Sequence, residues 1–288
     1  MKKMFLIALV MGVAMCDFTS THYEFMSNMS NEEFSSKYLG LNGDFLQDTM
    51  LSMFLSVTED ESVNDQLPES FDWRQEMPNC VHEVRDQGHC GSCWAHAASE
   101  VLSDRFCIAS KGTVDVTFSP QQLVDCDFVD HGCMGGFLTT PFIHYSLVGA
   151  NTDECYGEYV SGKTGKASKF CFLANWRCQR YKADLFSIRW LMNPAAIKKD
   201  LMNNGPVNTG FMVYEDFRDY KSGVYRKKSD TLLGGHAVKI VGWGKENGEE
   251  YWVVQNSWSP SWGEDGFFRI AFGECGIDSG ATSVRPAL

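Results

Sequence analysis

The chain has 288 residues, of which 44% are apolar, 13% aromatic and 22% charged, and 25 basic against 37 acidic groups leave a net charge of −12. That apolar content excludes a disordered chain, and the length allows one large domain or two lobes. An acidic balance without a basic run argues against nucleic acid, and no apolar run reaches the roughly 18 residues needed to cross a bilayer.

Lys2 and Lys3 precede the apolar run Met4 to Met15, with small residues at Gly12, Ala14 and Cys16. This pattern predicts a secretory signal peptide over residues 1–16, cut between Ala14 and Asp17. Residues 17–66 follow, rich in Met, Asn, Ser and acids and without cysteine. Residues 1–66 carry 3 basic and 10 acidic groups, more than half of the whole charge excess. Aromatic and cysteine density rises at Leu67-Pro68-Glu69-Ser70-Phe71-Asp72-Trp73, a candidate processing boundary. Ten of the 11 cysteines lie beyond the signal region, as suits a disulfide-bonded protein of an oxidising compartment. No CxxC pair has a matching second pair or HxxxH, so the spacing does not favour zinc, and no cofactor is expected.

From Ser92 the run SCWAHAASEVLSDRFCIAS spaces Trp94, Ala97, Ala98, Val101, Leu102 and Phe106 as on an amphipathic helix. Ser119-Pro120 and Asn193-Pro194 read as N-caps with Pro at the first helical position, and Gly205-Pro206 ends the second of these helices. Beyond Pro206 the texture is that of strands, VNTGFMVY, GHAVKIVGWG, YWVVQNSW and GFFRIAF, with Glu246-Asn247-Gly248 as a hairpin turn. A helical first half and a β-rich second half predict two lobes with a cleft between them.

Chemistry concentrates in Gln87-Gly88-His89-Cys90-Gly91-Ser92-Cys93-Trp94-Ala95. A thiol in the first helical turn feels the positive end of the helix dipole, which favours the nucleophilic thiolate. Such a nucleophile needs an imidazole partner, a group to orient that ring, and a donor for the developing oxyanion. His236, in Gly234-Gly235-His236-Ala237, opens a strand 143 residues after Cys93, and Asn256 ends the next strand, 163 residues after it. Antiparallel neighbours hold the two side by side, so the Asn amide can fix the ring. Gln87, six residues before the thiol, is placed to offer its side-chain amide together with the Cys93 N–H. His89, His96 and His131 are expected to be non-catalytic, with His96 serving packing.

These segments, with CMGG, NGPV, YKSGVY, GGHAVKIVGWG, NSW and WGEDGFFRI in order, resemble the papain-like cysteine proteases, most closely the cathepsin B-like branch. The resemblance covers the chain from about Leu67 to the C-terminus. It implies an α+β, two-lobed papain-like fold, with a helical lobe over about 80–190 and a β-barrel-like lobe over about 206–288. It also implies a peptidase domain over 67–288 and an inhibitory propeptide over 17–66, in which Asn31-Glu32-Glu33-Phe34 to Lys37-Tyr38-Leu39-Gly40 is similar to cathepsin L-like propeptide ends. Gly135, Gly136 and Gly235 fall where relatives let substrate backbone approach, and Trp258 where a ring shields the Asn–His pair. Ser259 replaces the Gly that relatives carry after that Trp. The implied disulfides are Cys80–Cys107, Cys90–Cys133, Cys126–Cys171 and Cys155–Cys178, with Cys93 and Cys275 free, although the Cys171 to Cys178 spacing departs from cathepsin B. Implied partners are polypeptide substrates, the chain's own propeptide and cystatin-like inhibitors. The chain is read as a monomer of the secretory pathway, in a lysosome- or vacuole-like compartment or outside the cell.

Specificity is read from two departures from cathepsin B. Its cleft-capping loop carries adjacent histidines, whereas Cys155 to Cys178 here contains none, which favours an endopeptidase over a dipeptide-releasing exopeptidase. Gly280 stands where cathepsin B has an acidic residue at the base of its S2 pocket, so an apolar or aromatic P2 residue is expected, with Asp278 facing solvent. A silent papain-fold binding protein and a Cys90-x-x-Cys93 thiol–disulfide exchanger are the competing readings. The exchanger requires Cys90 and Cys93 to bond to each other.

Overall fold

A computed structural model describes residues 18–42, 67–157, 159–160, 171 and 178–288. The expected signal peptide and most of the segment between Cys155 and Cys178 lie outside these residues. So does the stretch 43–66 that precedes the expected processing boundary.

The longer helices among the described residues are α1 (Asn31–Tyr38), α2 (Cys93–Ala109), α3 (Pro120–Cys126), α4 (Thr140–Leu147) and α5 (Pro194–Asn204). The predicted caps are present. Ser119 accepts from Gln122 N at 3.4 Å, Asn193 accepts from Ala196 N at 2.9 Å, and Gly205 closes α5 at φ 110°. The amphipathic reading of α2 needs correction, because every residue from Cys93 to Cys107 is buried. The helix packs against strand β5 (Leu232–Glu246) on one side and against α3 and α4 on the other. Its polar residues are therefore paired inside. Arg105 donates to the carbonyls of Pro206 (2.6 Å), Val284 (2.9 Å) and Gly205 (3.0 Å) and to Asp200 Oδ2 (2.5 Å), and Lys239 donates to Asp104 Oδ2 at 2.5 Å. Buried charge is tolerable only with such partners.

The sheet comprises β1 (Phe71–Asp72), β2 (Arg189–Leu191), β3 (Val207–Tyr214), β4 (Val224–Tyr225), β5, β6 (Glu249–Gln255), β7 (Phe267–Ala271) and β8 (Ala281–Ser283). Its order is β2-β8-β3-β5-β6-β7-β4, with β1 joined to β5. The β5–β6 turn has Asn247 and Gly248 at φ 51° and 87°, the left-handed pair that a tight hairpin requires. Lobe boundaries are less sequential than expected. Both β1 and β2, from outside the expected β lobe, join the sheet, and Pro286–Ala287 at the C-terminus pairs with Lys182–Ala183. Each lobe is thus closed by strands from the other half of the chain, and two hydrophobic cores result, one under the sheet and one around α2.

Residues 18–42 pack on the sheet lobe. Phe18, Tyr23, Met26, Phe34, Tyr38 and Leu39 are buried in the sheet core itself. Ser30 caps α1 by accepting from Glu33 N at 3.1 Å. After Tyr38 the chain is extended and crosses between the lobes.

Candidate active site

Cys93 is the first residue of α2 and is fully buried. The N–H of Ala237, next to His236 on β5, donates to Cys93 Sγ at 3.4 Å, so the start of the helix and the start of the strand meet at this sulfur. Two opposing effects act on the thiol. Burial raises its pKa, and main-chain N–H groups of Ala237, Trp94 and Gly40 lower it; burial prevails and pushes the thiol up to about 11. The thiolate expected from the helix dipole alone is therefore not the state seen here.

His236 is buried as well, and its Nε2 lies 2.7 Å from Asn256 Oδ1. Lys239 pairs with Gln255 across β5 and β6, which brings the next residue, Asn256, to the His236 end of the hairpin. An amide oxygen can only accept, so Nε2 carries the proton and Nδ1 is left as the basic nitrogen. Nδ1 is buried without a hydrogen-bond partner among the described residues. Burial pushes His236 down to about 4, with the Asn256 bond opposing. The Trp258 ring lies 4.7 Å from the imidazole and is itself fully buried, so it excludes water from the His–Asn pair. Ser259 adopts φ 79°, keeping the backbone conformation of the Gly it replaces.

Gln87 is fixed at both ends of its side chain. Ser257 Oγ donates to Oε1 at 2.7 Å, and Nε2 donates to the Cys90 carbonyl at 2.9 Å and the Tyr38 carbonyl at 3.1 Å. Trp258 Nε1 also donates to the Tyr38 carbonyl, at 3.3 Å. The amide proton expected to serve an oxyanion is thus occupied by a carbonyl of the 18–42 segment. Beyond Tyr38, Gly136 N donates to Gly40 O (2.9 Å), Leu41 N to Gly235 O (3.1 Å) and Asn42 N to Gly136 O (2.9 Å). The segment fills the cleft as a third strand between the lobes and covers Cys93 and His236. That cover adds to the burial that drives both pKa shifts.

The three glycines singled out from the sequence lie along this strand. A Cβ on Gly135 would meet Asn42 Oδ1 at 2.6 Å, and one on Gly235 would meet Leu41 O at 2.9 Å. On Gly136 it would strike the Trp94 ring at 2.5 Å. Two expectations are corrected. Gly280 does not leave open space: the Trp190 ring lies over it, 2.5 Å from where a Cβ would stand. Asp278 does not face solvent; it is buried and accepts from Gly273 N (2.9 Å) and Trp252 Nε1 (3.2 Å). Gly210, which sequence reasoning passed over, meets the Leu41 side chain directly. Ser257 and Tyr38 were also missed as site residues, though both stand inside quoted motifs. Cys90 is bonded to Cys133, which removes the pairing that a thiol–disulfide exchanger needs. The other three implied disulfides are present, and Cys93 and Cys275 are free.

Residues 67–285 match the papain family cysteine protease domain. The chain is 43% identical over 219 residues to cathepsin B-like CP3 of Giardia intestinalis, covering 74% of this chain and 73% of that one. It is 37% identical over 255 residues to cathepsin B-like cysteine proteinase 1 of Ostertagia ostertagi, covering 76% and 74%. Among solved structures, procathepsin B S9 from Trypanosoma congolense is similar with a TM-score of 0.82 at 31% identity, covering 94% of each chain.

Proposed function

The chain belongs to the papain family of cysteine proteases, cathepsin B-like in type, and on that premise we propose that it is an endopeptidase made as an inactive precursor. Cys93 acts as nucleophile and His236 Nδ1 as its base. Asn256 holds the imidazole, and Gln87 Nε2 with the Cys93 N–H stabilises the oxyanion. With the thiol proton already on His236 Nδ1, the Sγ thiolate attacks the scissile carbonyl carbon, and that proton then passes to the departing amine. Water next attacks the thioester, and the acid product leaves as Sγ is restored. The observation that carries this reading is the junction at Ala237, where Sγ sits against the residue next to an imidazole whose only unbonded nitrogen is Nδ1.

In this reading residues 17–66 are an inhibitory propeptide. Support comes from the Tyr38 carbonyl, which takes the oxyanion donor, and from the neutral thiol and imidazole beneath the 39–42 crossing. Removal near Leu67 readmits water and lets the thiolate–imidazolium pair form. Endopeptidase action is supported by the lack of histidine between Cys155 and Cys178, so no imidazolium there anchors a substrate's terminal carboxylate. A preference for apolar P2 residues is supported by the Gly210 wall and by the absence of a carboxylate at residue 280. The signal-like N-terminus and four disulfides support the secretory pathway, with a lysosome- or vacuole-like or extracellular destination. The processed chain is expected to cleave peptides blocked at both ends, with Leu or Phe favoured over Arg at P2. Cys93→Ser and His236→Ala each remove the covalent route, with rate losses on the order of 10⁴ or more. Strict release of C-terminal dipeptides, or near-normal turnover by Cys93→Ser, overturns the reading.

A further inference from the structure

We propose that Tyr159 is a positioning residue for the oxyanion side of this peptidase, locking the Gln87 loop to the helix start that carries Cys93; the proposal rests on the peptidase reading above. Its hydroxyl lies 2.9 Å from the Gln87 main-chain carbonyl oxygen and 2.8 Å from Ser92 Oγ. It therefore bridges the residue bearing the amide donor and the residue immediately before the nucleophile.

The proton order along this bridge is fixed at both ends, because main-chain carbonyls only accept. Gln87 O receives the Tyr159 proton, so between the two hydroxyls Ser92 Oγ is the donor, sharing its proton with the Cys90 carbonyl 3.4 Å away. At the other end His96 Nδ1 lies 3.0 Å from the Ser92 carbonyl and 3.3 Å from Ser92 Oγ, so Nδ1 is the protonated nitrogen and serves both. Protons thus run one way, from His96 through Ser92 and Tyr159 to Gln87. Neither end of the relay changes state at working pH: burial pushes His96 down to about 3 and the Tyr159 phenol up to about 12. The two rings meet edge to face at 4.5 Å, so bulk and hydrogen bond act together. Tyr159 has its own footing, since Val160 N donates to Gln121 Oε1 at 2.9 Å and the Cys155–Cys178 disulfide closes the segment it comes from.

The remaining polar groups of Gln87 are held by Ser257 and Cys90, which fix the residue from the sheet side and from its own loop. Tyr159 supplies the hold on the main-chain carbonyl from the helix side. Removing it leaves the donor present but free to drift, and positional error at a reacting centre reduces turnover more than binding.

The test uses the full chain after processing, normalised to active thiol by titration with an epoxide selective for activated cysteines. Tyr159→Phe is expected to lower kcat about tenfold with KM within about twofold, short of the roughly 100- to 1,000-fold that loss of an oxyanion donor costs. In a Gln87→Ala background the same change is expected to add less than about twofold, because its route runs through Gln87. His96→Phe, which keeps the ring and loses Nδ1, is expected to lower kcat by about threefold. Unchanged kcat in Tyr159→Phe at full thiol titre overturns the proposal, as does a loss that multiplies with Gln87→Ala. A parent chain that titrates but cleaves no peptide sinks the peptidase reading and this inference together. A parent that turns over at the same rate as Tyr159→Phe sinks the inference alone.

Discussion

Residues 18–38 hold the sheet lobe through side chains, whereas residues 39–42 cross the cleft on main-chain hydrogen bonds. In the first stretch Phe34 lies edge-on to Trp258 at 5.4 Å, with the Arg218 guanidinium 4.6 Å over its other face. Arg218 also donates to the carbonyls of Met26 (2.7 Å) and Met29 (3.3 Å), and Tyr23 Oη donates to the Tyr220 carbonyl at 2.8 Å. In the second stretch the hydrogen-bond partners on the main chain are Gly136 and Gly235, while the Leu39 side chain ends the sheet-core anchor and Leu41 packs on Gly210. The contrast separates two tasks. In the proposed precursor, buried aromatic area gives the segment its affinity, and the crossing supplies the block.

Substitutions on the two stretches break this comparison in opposite ways. Phe34→Ala removes a fully buried ring, at a cost of about 3 kcal/mol or more. Labelling of Cys93 by an epoxide in the unprocessed chain is expected to accelerate roughly 100-fold, and hydrogen-exchange protection over residues 23–38 is expected to fall with it. Gly40→Ala drives a Cβ into the Gly91 carbonyl, a backbone atom that cannot give way. Here labelling is expected to rise by a comparable factor while protection over 23–38 persists. If both variants lose protection together, anchor and crossing are one unit and the division fails.

A smaller effect comes from protons. In the proposed activation, release of the segment converts a neutral thiol and imidazole into a thiolate and an imidazolium, so in the parent chain the proton count does not change and this pair makes no pH dependence. Cys93→Ala breaks that balance. His236 then titrates near its ordinary value of about 6.5 when uncovered and at about 4 when buried under the segment. A pKa lowered in the docked state means that docking is at full strength above 6.5 and weakens as pH falls toward 4. Segment release in Cys93→Ala is expected to steepen by up to tenfold per pH unit, roughly thirtyfold by pH 5, relative to the parent. Every other contact between the segment and the sheet lobe, the His22–Asp219 pair included, is the same in both chains and cancels. Identical pH profiles by hydrogen exchange would show that His236 is not covered by the crossing.

Legibility from sequence divides along a related line. Cys93, Gln87, His236, Asn256 and Trp258 were readable because each sits in a short contiguous motif whose local geometry does most of the positioning. The caps at Ser119 and Asn193 and the Asn247-Gly248 turn were readable for the same reason. The buried character of α2 was not, since Arg105 and Asp104 find Asp200 and Lys239 only after the lobes meet. Asp278 was misread because its partners, Trp252 and Gly273, are set by how β6 packs near the end of β7. Tyr159 carries no sequence signal, because its partners Gln87 and Ser92 lie 72 and 67 residues away in the chain.

The smallest expected effect concerns a side chain of the crossing. Leu41 is half-buried and packs directly on Gly210 and within 3.2 Å of a Cβ position at Gly235, so it marks the apolar pocket beside the nucleophile. Leu41→Ala forfeits part of a leucine's burial, about 1–2 kcal/mol for a half-exposed position, so epoxide labelling of the unprocessed chain is expected to rise about tenfold. In the proposed reading Leu41 and a P2 side chain share the Gly210 wall, so Gly210→Ala is expected to act on both. It brings a methyl into the space that the Leu41 side chain fills, weakening the block in the precursor, and it lowers kcat/KM for Leu and Phe at P2 in the processed enzyme while sparing smaller residues. A variant that loosens the precursor yet leaves the P2 preference unchanged would show that Leu41 sits outside the substrate's path, and would assign the whole of the block to main-chain contacts.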